Sequence, residues 1–220
     1  MTIRILFLLL AAYLLGSIPF SHFITKWRTG LVIREVGEGN VGSRNVWHVV
    51  GPRWGVLAFA LDMLKGLAVY LGGLALGVPI WGIGLAGIAA VLGHQFSFFL
   101  HGQGGKGLAT MLGVILGLSP LAALGGLALL GLAYVFFRDF NPSVIVSALG
   151  VIFLPLVVGP SPVVTVYALG MVLMAGVKKL LDRQHETQVW GAHPWEGGGK
   201  PGFHHAEGSD QAASQDANAH

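Results

Sequence analysis

The chain has 220 residues, of which 54% are hydrophobic and only 10% are Asp, Glu, Lys or Arg. Because a soluble domain carries about 25% charged residues, this composition excludes an ordinary soluble domain and a disordered chain. The absence of Cys excludes disulfides, thiolate nucleophiles and Cys-ligated metal. The net charge of +3 comes from Lys and Arg residues placed between apolar segments, which indicates membrane topology rather than nucleic-acid binding.

Seven apolar segments are predicted to form helices that span or enter a membrane. The first has the length of about 20 residues that a span needs, and it is expected to be a retained helix that ends near Pro19, not a cleaved signal peptide. Pro120 and the break at 159–162 divide two longer uncharged runs. The predicted helices cover residues 5–25, 54–77, 79–100, 107–118, 121–137, 143–158 and 163–181. The fold class is therefore an all-α polytopic membrane protein, a bundle of about seven transmembrane helices, some of them short.

The basic residues lie almost entirely on one side of this layout. The loops near residues 78, 119 and 160 hold no Lys or Arg. The segments on the opposite side hold Lys26, Arg28, Arg34, Arg44, Arg53, Lys106, Arg138, Arg183 and Lys200. The positive-inside rule therefore predicts that the Gly-rich loops and the C-terminus are cytoplasmic.

The composition changes after residue 183. Residues 184–220 are rich in Gly, Ala, Gln, His and Asp and have no apolar period. They are predicted to form a disordered polar cytoplasmic tail behind a transmembrane domain of residues 1–183. The tail contains His193, His204, His205 and His220, but scattered histidines are more often solvated than metal-bound, so no metal is expected.

Two Gly-rich segments are candidates for binding phosphate. In residues 37–45, three glycines within six residues let the backbone turn and present amides, and Arg44 adds a positive charge. Residues 101–107 run directly into an apolar helix, where free amides, the helix dipole and Lys106 would favour an anion. The second segment is not a Walker A loop, because Gly107 stands where Ser or Thr is required. The alternatives are a flexible linker for the first segment and a tight turn with an anchoring Lys for the second.

Ionisable residues inside the predicted spans form a third candidate site. Asp62 and Lys65 are three residues apart and face each other on one helix, and they are expected to tie that helix to a loop. His94 lies near the cytoplasmic end of its helix, and the sequence leaves open whether it is structural, a proton carrier or a ligand.

Five motifs follow one another between residues 16 and 110, and together they resemble one family. They are Gly16-Ser17-Ile18-Pro19-Phe20, Gly39-Asn40-Val41-Gly42-Ser43-Arg44-Asn45-Val46, Leu61-Asp62-Met63-Leu64-Lys65-Gly66, Gly93-His94-Gln95-Phe96 and Gly104-Gly105-Lys106-Gly107-Leu108-Ala109-Thr110. The order and content closely resemble the PlsY family of bacterial acyl-phosphate:glycerol-3-phosphate acyltransferases. From about residue 118 to 181 the resemblance is mainly one of hydropathy.

The resemblance implies a function and a set of site residues. Family members transfer an acyl group from acyl phosphate to the 1-hydroxyl of glycerol-3-phosphate, which gives lysophosphatidic acid for phospholipid synthesis. It implies a multi-pass protein of the bacterial inner membrane that needs no cofactor, binds no nucleic acid and is expected to be a monomer. The predicted catalytic residues are Lys106, Arg44, Asn45 and His94. The predicted substrate-binding residues are Gly39, Asn40, Gly42, Ser43, His48, Gly104, Gly105, Gly107, Thr110 and Arg138.

The chain also departs from the family pattern. Glu38 stands where the family has Ser, and His48 stands where the family has a phosphate-binding Arg, a charge that Arg44 could replace from one helical turn away. The third family motif matches poorly, and Lys179 alone keeps its basic character. Because a carboxylate repels phosphate unless it is paired, Glu38 is expected to pair with Arg44 or Lys106.

Two other functions remain open. Glu38 and the altered third motif favour a non-catalytic relative that binds an anionic metabolite or lipid as a regulator or scaffold. A transporter is less favoured, because the number of spans is odd and no inverted repeat is visible. For the acyltransferase, the two Gly-rich segments are expected to fold together, so that Arg44 and Lys106 face one anion site.

Overall fold

The structure is a computed structural model that describes residues 1–158 and 162–192. In these residues the chain forms nine α-helices and two short 3-10 turns, at Ile33–Glu35 and Phe98–Leu100. The α-helices are α1 Thr2–Ser17, α2 Phe20–Thr29, α3 Ser43–Val49, α4 Pro52–Ala75, α5 Ile80–Gln95, α6 Leu108–Leu118, α7 Pro120–Phe137, α8 Phe140–Val158 and α9 Val163–Ala192. The expectation of an all-helical membrane protein is confirmed.

Six helical segments of the described chain are long and apolar enough to cross a membrane. They are α1 together with α2, α4, α5 with the turn after it, α7, α8 and α9. The seventh apolar helix, α6, has 11 residues and is therefore about 17 Å long, roughly half of a hydrocarbon core of about 30 Å. Its far end, Ser119, is buried inside the protein.

Proline residues set several of the helix boundaries that the sequence predicts. Pro19 separates α1 from α2, while Pro52 and Pro120 occupy the first position of α4 and α7. Proline suits this position because its missing N–H would have no partner within the helix. These breaks give the bundle short helices and tight turns at the level of the membrane surface and within it.

Small residues allow the helices of the bundle to pack closely. A side chain added at Gly66 of α4 would collide with the carbonyl oxygen of Thr110 on α6, and one at Gly113 of α6 would collide with that of Met63 on α4. Backbones at such separations gain packing contacts that larger residues would prevent. Helix α6 is thereby fixed against α4, and its N-terminal loop is positioned relative to the rest of the site.

The Asp62–Lys65 pair ties α4 to the break between α1 and α2, as the sequence predicts. The Lys65 Nζ atom lies 2.9 Å from Asp62 Oδ1. It also donates to the carbonyl oxygens of Gly16 and Ile18, both at 2.9 Å. Pro19 ends the preceding helix, so these carbonyls lack the bonds of a continuing helix, although that of Ile18 also accepts the N–H of Phe20 at 3.2 Å. A buried ammonium group satisfies them.

Helix α9 is longer than the sequence predicts. It continues to Ala192, so the boundary predicted between residues 183 and 184 does not coincide with the end of the helix. Buried Lys178 donates to Asp182 at 2.6 Å, and Asp182 also lies 3.3 Å from Arg34 in the loop after α2. These contacts hold the end of α9 against the loops, where its polar composition alone would indicate a solvated tail. The remainder of the predicted tail, with His193, lies outside the described residues.

Candidate active site

Asn45 organises the Gly-rich loop that precedes α3. The two N–H groups of its side-chain amide are shared among three carbonyl oxygens, those of Ile33, Val36 and Asn40, which lie 2.9–3.0 Å from Nδ2. Its Oδ1 atom accepts the backbone N–H of Glu38 at 2.9 Å. Asn45 is fully buried, so it shapes the loop around itself and its polar atoms are turned away from solvent.

Glycine is required beside Glu38 for geometric reasons. Gly37 and Gly39 have φ values of +61° and +65°, in the left-handed region that other residues rarely adopt. A side chain at Gly37 would also collide with Asn45 Oδ1. The tight turn presents the Glu38 side chain from a fixed backbone.

Glu38 pairs with Arg44, as the sequence predicts for one of its two candidate partners. The Arg44 Nε atom lies 2.9 Å from Glu38 Oε1, and the same oxygen lies 3.4 Å from His48 Nε2. Arg44 also contacts the α7–α8 turn, where its Nη1 donates to Asn141 Oδ1 at 3.4 Å and its guanidinium stacks on Phe140. The Glu38 side chain is only 15% exposed.

Burial is the main cause of the pKa shifts of Glu38 and His48. Burial raises the pKa of the Glu38 carboxyl above its ordinary value of 4.5, although the charges of Arg44 and Lys106 oppose the rise. Burial, followed by the Arg44 charge, lowers the pKa of His48 from 6.5 to about 4. His48 is therefore neutral near pH 7, and its contact with Glu38 is not an ion pair under these conditions.

The second Gly-rich segment brings Lys106 to the same end of the bundle. Lys106 Nζ donates to Glu186 Oε1 of α9 at 2.6 Å, and both side chains are 19% exposed. A side chain at Gly105 would collide with the carbonyl oxygen of Val41. The two Gly-rich segments are therefore in contact, and the charges of Arg44 and Lys106 both act on Glu38.

Helix α9 closes this cluster from a third side. A side chain at Gly39 would contact Val189 and the backbone of Glu186. The Lys179 charge also lowers the pKa of Glu38, whereas the Glu186 charge raises it. The two loops and α9 thus place Arg44, Lys106 and Lys179 where their charges act on Glu38.

Comparison with known proteins agrees with this arrangement. The family model described as glycerol-3-phosphate acyltransferase matches residues 6–185. Glycerol-3-phosphate acyltransferase 4 of Dehalococcoides mccartyi strain CBDB1 is 35% identical over 181 residues, which are 82% of this chain and 70% of that protein. The glycerol-3-phosphate acyltransferase of Aquifex aeolicus is 45% identical over 122 residues, which are 55% of this chain and 63% of that protein. The chain belongs to the glycerol-3-phosphate acyltransferase family.

Two solved structures share the fold. A crystal structure of PlsY, an integral membrane glycerol 3-phosphate acyltransferase, in its glycerol 3-phosphate form has a TM-score of 0.75 and 34% identity, covering 84% of this chain and 92% of that chain. The lysophosphatidic acid form has a TM-score of 0.73 and 32% identity over the same shares of both chains. The bundle described above is therefore that of this family.

Two amides of the second Gly-rich segment form backbone hydrogen bonds, and the phosphate-binding role of the segment stays a prediction. The N–H of Gly104 donates to the carbonyl of Gln95, and that of Gly105 donates to the carbonyl of His94, both at 3.1 Å. Gly107 begins α6 with a φ of +80°. These hydrogen bonds hold the loop on the end of α5, and anion binding by the Lys106 side chain stays a prediction.

His94 and Thr110 lie beneath this loop and support it. His94 Nδ1 lies 3.2 Å from Lys65 Nζ and 3.4 Å from Thr110 Oγ1, and both residues are buried. A side chain at Gly105 would contact His94 Nε2. The adjoining cavity, which Asp62 also lines, measures about 10 Å³ and so has room for roughly one water molecule. The sequence leaves three roles open for His94, and these contacts favour a structural one.

The remaining predicted residues lie at the edges of the cluster. Asn40 is buried and its Oδ1 has no hydrogen-bond partner among the described residues. Gly42 and Ser43 begin α3 and so orient Arg44. Arg138 is exposed and follows the last residue of α7. The residue near it that contacts Arg44 is Asn141, at the start of α8.

The predicted site residues omit three members of the cluster, Glu38, Lys179 and Glu186, and they also omit Asn141, which contacts Arg44. The composition places Glu186 in a disordered tail, and the resemblance selects Arg138 rather than Asn141 in the α7–α8 turn. One sequence signal for Glu186 exists, since Asp182, Glu186 and Val189 recur at the three- and four-residue spacing of one helix face.

Proposed function

We propose that this protein transfers an acyl group from acyl phosphate to the 1-hydroxyl of glycerol-3-phosphate, giving lysophosphatidic acid. The observation that carries the proposal is the contact between the two loops that carry Arg44 and Lys106, at the end of an apolar bundle. Both substrates carry phosphate, and the acyl donor and the product also carry an apolar chain. The site lies where cationic loops meet an apolar bundle, and molecules with both a phosphate and an apolar chain require these two environments.

Arg44 and Lys106 are proposed to hold the two phosphates. A guanidinium has five N–H donors and an ammonium has three. Arg44 uses Nε and Nη1 in the contacts with Glu38 and Asn141, and Lys106 uses one donor for Glu186. Each cation therefore retains N–H donors for a phosphate. Its existing contacts hold these donors in place before the substrate binds, and such preorganised donors lower the barrier for a charged transition state.

Acyl transfer at this site needs no acyl-enzyme. The 1-hydroxyl oxygen attacks the acyl carbonyl carbon, and the bond to phosphate breaks with phosphate as the leaving group. Positioning two substrates side by side removes much of the entropic barrier to such a reaction. The chain has no Cys to act as a covalent nucleophile.

The location of the site supports a cytoplasmic reaction at the bacterial inner membrane. The basic loops that build it fall on the side that the positive-inside rule assigns to the cytoplasm. Exposed apolar residues, such as Phe98 and Phe136, lie on the flanks of the bundle. The acyl chain is proposed to remain among the lipids beside such surfaces while its phosphate reaches the site. A monomer is sufficient for this arrangement.

A non-catalytic relative is the second candidate, and the two ion pairs favour it. Glu38 neutralises Arg44 and Glu186 neutralises Lys106, so each proposed phosphate-binding cation already has a carboxylate. Such a protein would bind an anionic metabolite or lipid weakly and turn nothing over.

A product assay distinguishes the two candidates. The purified full chain is incubated in detergent with acyl phosphate and glycerol-3-phosphate, and lysophosphatidic acid and inorganic phosphate are measured. Equal amounts of both products, absent when either substrate is omitted, are expected for the acyltransferase. Phosphate release without lysophosphatidic acid, or no product at all, would contradict it.

A further inference from the structure

A carboxylate lies at the centre of a site that otherwise collects cations. Glu38 pairs with Arg44, the charges of Lys106 and Lys179 also act on it, and its side chain is 15% exposed. For a site that binds two phosphates, a permanent negative charge in this place is electrostatically unfavourable. Glu38 lies in the loop before Arg44, and this loop contacts the one that carries Lys106.

Resting on the proposed function, we infer that Glu38 is the general base of acyl transfer, accepting the proton of the attacking 1-hydroxyl through Oε2. Both described side-chain contacts of Glu38 use the other oxygen: Arg44 Nε is 2.9 Å and His48 Nε2 is 3.4 Å from Oε1. One carboxylate oxygen is thus held by the protein, and the second is available to a substrate.

The backbone that carries the Glu38 carboxylate is fixed, as a general base requires. The Glu38 N–H donates to Asn45 Oδ1, and the residues on either side are glycines with positive φ. His48 is neutral near pH 7, since its pKa is lowered to about 4, and its Nε2 atom lies 3.4 Å from Oε1. A base placed by such contacts transfers a proton without first reorganising.

The protonation equilibrium of Glu38 suits this role. Burial raises its pKa, Glu186 adds to the rise, and Arg44, Lys106 and Lys179 limit it. The phosphates of two bound substrates add negative charge and raise the pKa further. A carboxyl with a raised pKa has a higher affinity for a proton and remains ionised at a pH above that pKa.

The step is balanced without any further reactant. A bond forms between the 1-hydroxyl oxygen of glycerol-3-phosphate and the acyl carbonyl carbon while the proton moves to Glu38 Oε2. The bond between that carbon and the phosphate oxygen breaks, and its electron pair leaves with the phosphate. The phosphate takes the proton from Glu38, so the carboxylate is regenerated and hydrogen phosphate is released.

The test compares Glu38→Gln with Glu35→Gln in the full chain. The Glu38→Gln change keeps the shape and hydrogen bonding of the side chain but leaves an amide that accepts no proton. Glu35 is an exposed carboxylate three residues away in the same loop. For Glu38→Gln we expect kcat to fall about 10²–10⁴-fold, with the KM of both substrates changed less than about threefold. For Glu35→Gln we expect no change.

The pH profile separates a base from a structural partner of Arg44. In the unmodified protein, kcat is expected to rise with pH as Glu38 ionises, and Glu38→Gln should lose this acidic limb. A Glu38→Gln variant with activity near that of the unmodified protein would overturn the inference, and so would a slow variant that keeps the acidic limb. If the unmodified protein makes no lysophosphatidic acid, the proposed function fails as well. Unfolding temperatures of the variants show whether a loss of rate reflects a loss of folding.

Discussion

Each proposed phosphate-binding residue is already paired with a carboxylate. The Lys106–Glu186 and Arg44–Glu38 pairs are partly exposed at the end of the bundle, and pairs of this kind contribute about 0–1 kcal/mol to stability. A substrate phosphate carries nearly twice the charge of a carboxylate near pH 7 and has three terminal oxygens. It can therefore compete for the same cations, while the carboxylates hold the empty site in a defined arrangement.

Replacement of Lys106 by Ala is expected to reduce turnover severely. The loss of one well-placed charged or polar donor in a catalytic site costs roughly 2.7–4 kcal/mol, or about 10²–10³-fold in kcat. The measurement is initial-rate formation of lysophosphatidic acid by purified variants. Arg53→Ala is the control, because Arg53 is an exposed cation on the same side of the chain. An unchanged rate for Lys106→Ala would show that Lys106 does not bind substrate.

The loop before α3 has its shape because one buried side chain satisfies its backbone. The two side-chain N–H groups of Asn45 are shared among three carbonyl oxygens, and its Oδ1 atom accepts the N–H of Glu38. Such a loop lacks the repeated hydrogen bonding of a helix, so its conformation depends on this single residue. The sequence places Asn45 among the catalytic residues, which stays a prediction, and its contacts in the structure are with the loop that carries Glu38.

Asn45→Ala is therefore expected to lower stability and activity together. Unpaired buried polar groups each cost about 1–3 kcal/mol, so the variant should lose at least that amount of unfolding free energy. The measurement is thermal unfolding in detergent together with the product assay. Gln103→Ala, which removes an exposed amide from the other Gly-rich segment, should leave both unchanged. Full stability of Asn45→Ala would contradict this role.

The last turns of α9 belong to the site and not to a separate tail. Glu186 reaches Lys106, and Val189 packs against Gly39. His185 Nε2 lies 2.9 Å from the carbonyl oxygen of Arg34. These contacts join α9 to both Gly-rich segments, so the helix end closes the site from the side opposite α3.

Glu186→Gln is expected to strengthen substrate binding. The Glu186 carboxylate and a substrate phosphate compete for Lys106, and the pair itself contributes at most about 1 kcal/mol. We expect the KM of the phosphate substrate that Lys106 binds to fall by about two- to fivefold, the change that about 0.4–1 kcal/mol corresponds to, with little change in unfolding temperature. KM values for both substrates, measured beside Thr187→Ala as an exposed control on α9, test this. A raised KM would show that Glu186 instead holds Lys106 in its productive position.

At the scale of the whole molecule, the sequence predicts the helices far better than the site. Apolar length and proline breaks are local signals, and they place α4, α5 and α7 within a few residues. The Asp62–Lys65 pair is predictable because both partners lie on one helix face. The Lys106–Glu186 contact joins residues 80 positions apart, and the polar composition of 184–192 hides its helical continuation. Contacts of this kind depend on how α9 packs against the loops, and a local sequence pattern does not reveal this packing.

The topology of the bundle gives a prediction that needs no activity. The chain has no Cys, so single cysteines report their side of the membrane without background. Arg53→Cys and Gln103→Cys are exposed near the cluster and should be protected from an impermeant thiol reagent in intact cells. They should react once the membrane is permeabilised.

Ala75→Cys, at the opposite end of α4, and Pro162→Cys, just before α9, are exposed and should react in intact cells. The physical reason is the bias of Lys and Arg, which retains basic loops on the cytoplasmic side during insertion. Reaction of position 103 in intact cells would place the site outside the cytoplasm, away from the intracellular supply of phosphorylated substrates. Protection of all four positions in intact cells would contradict the predicted topology, because it would place all four on the same side of the membrane.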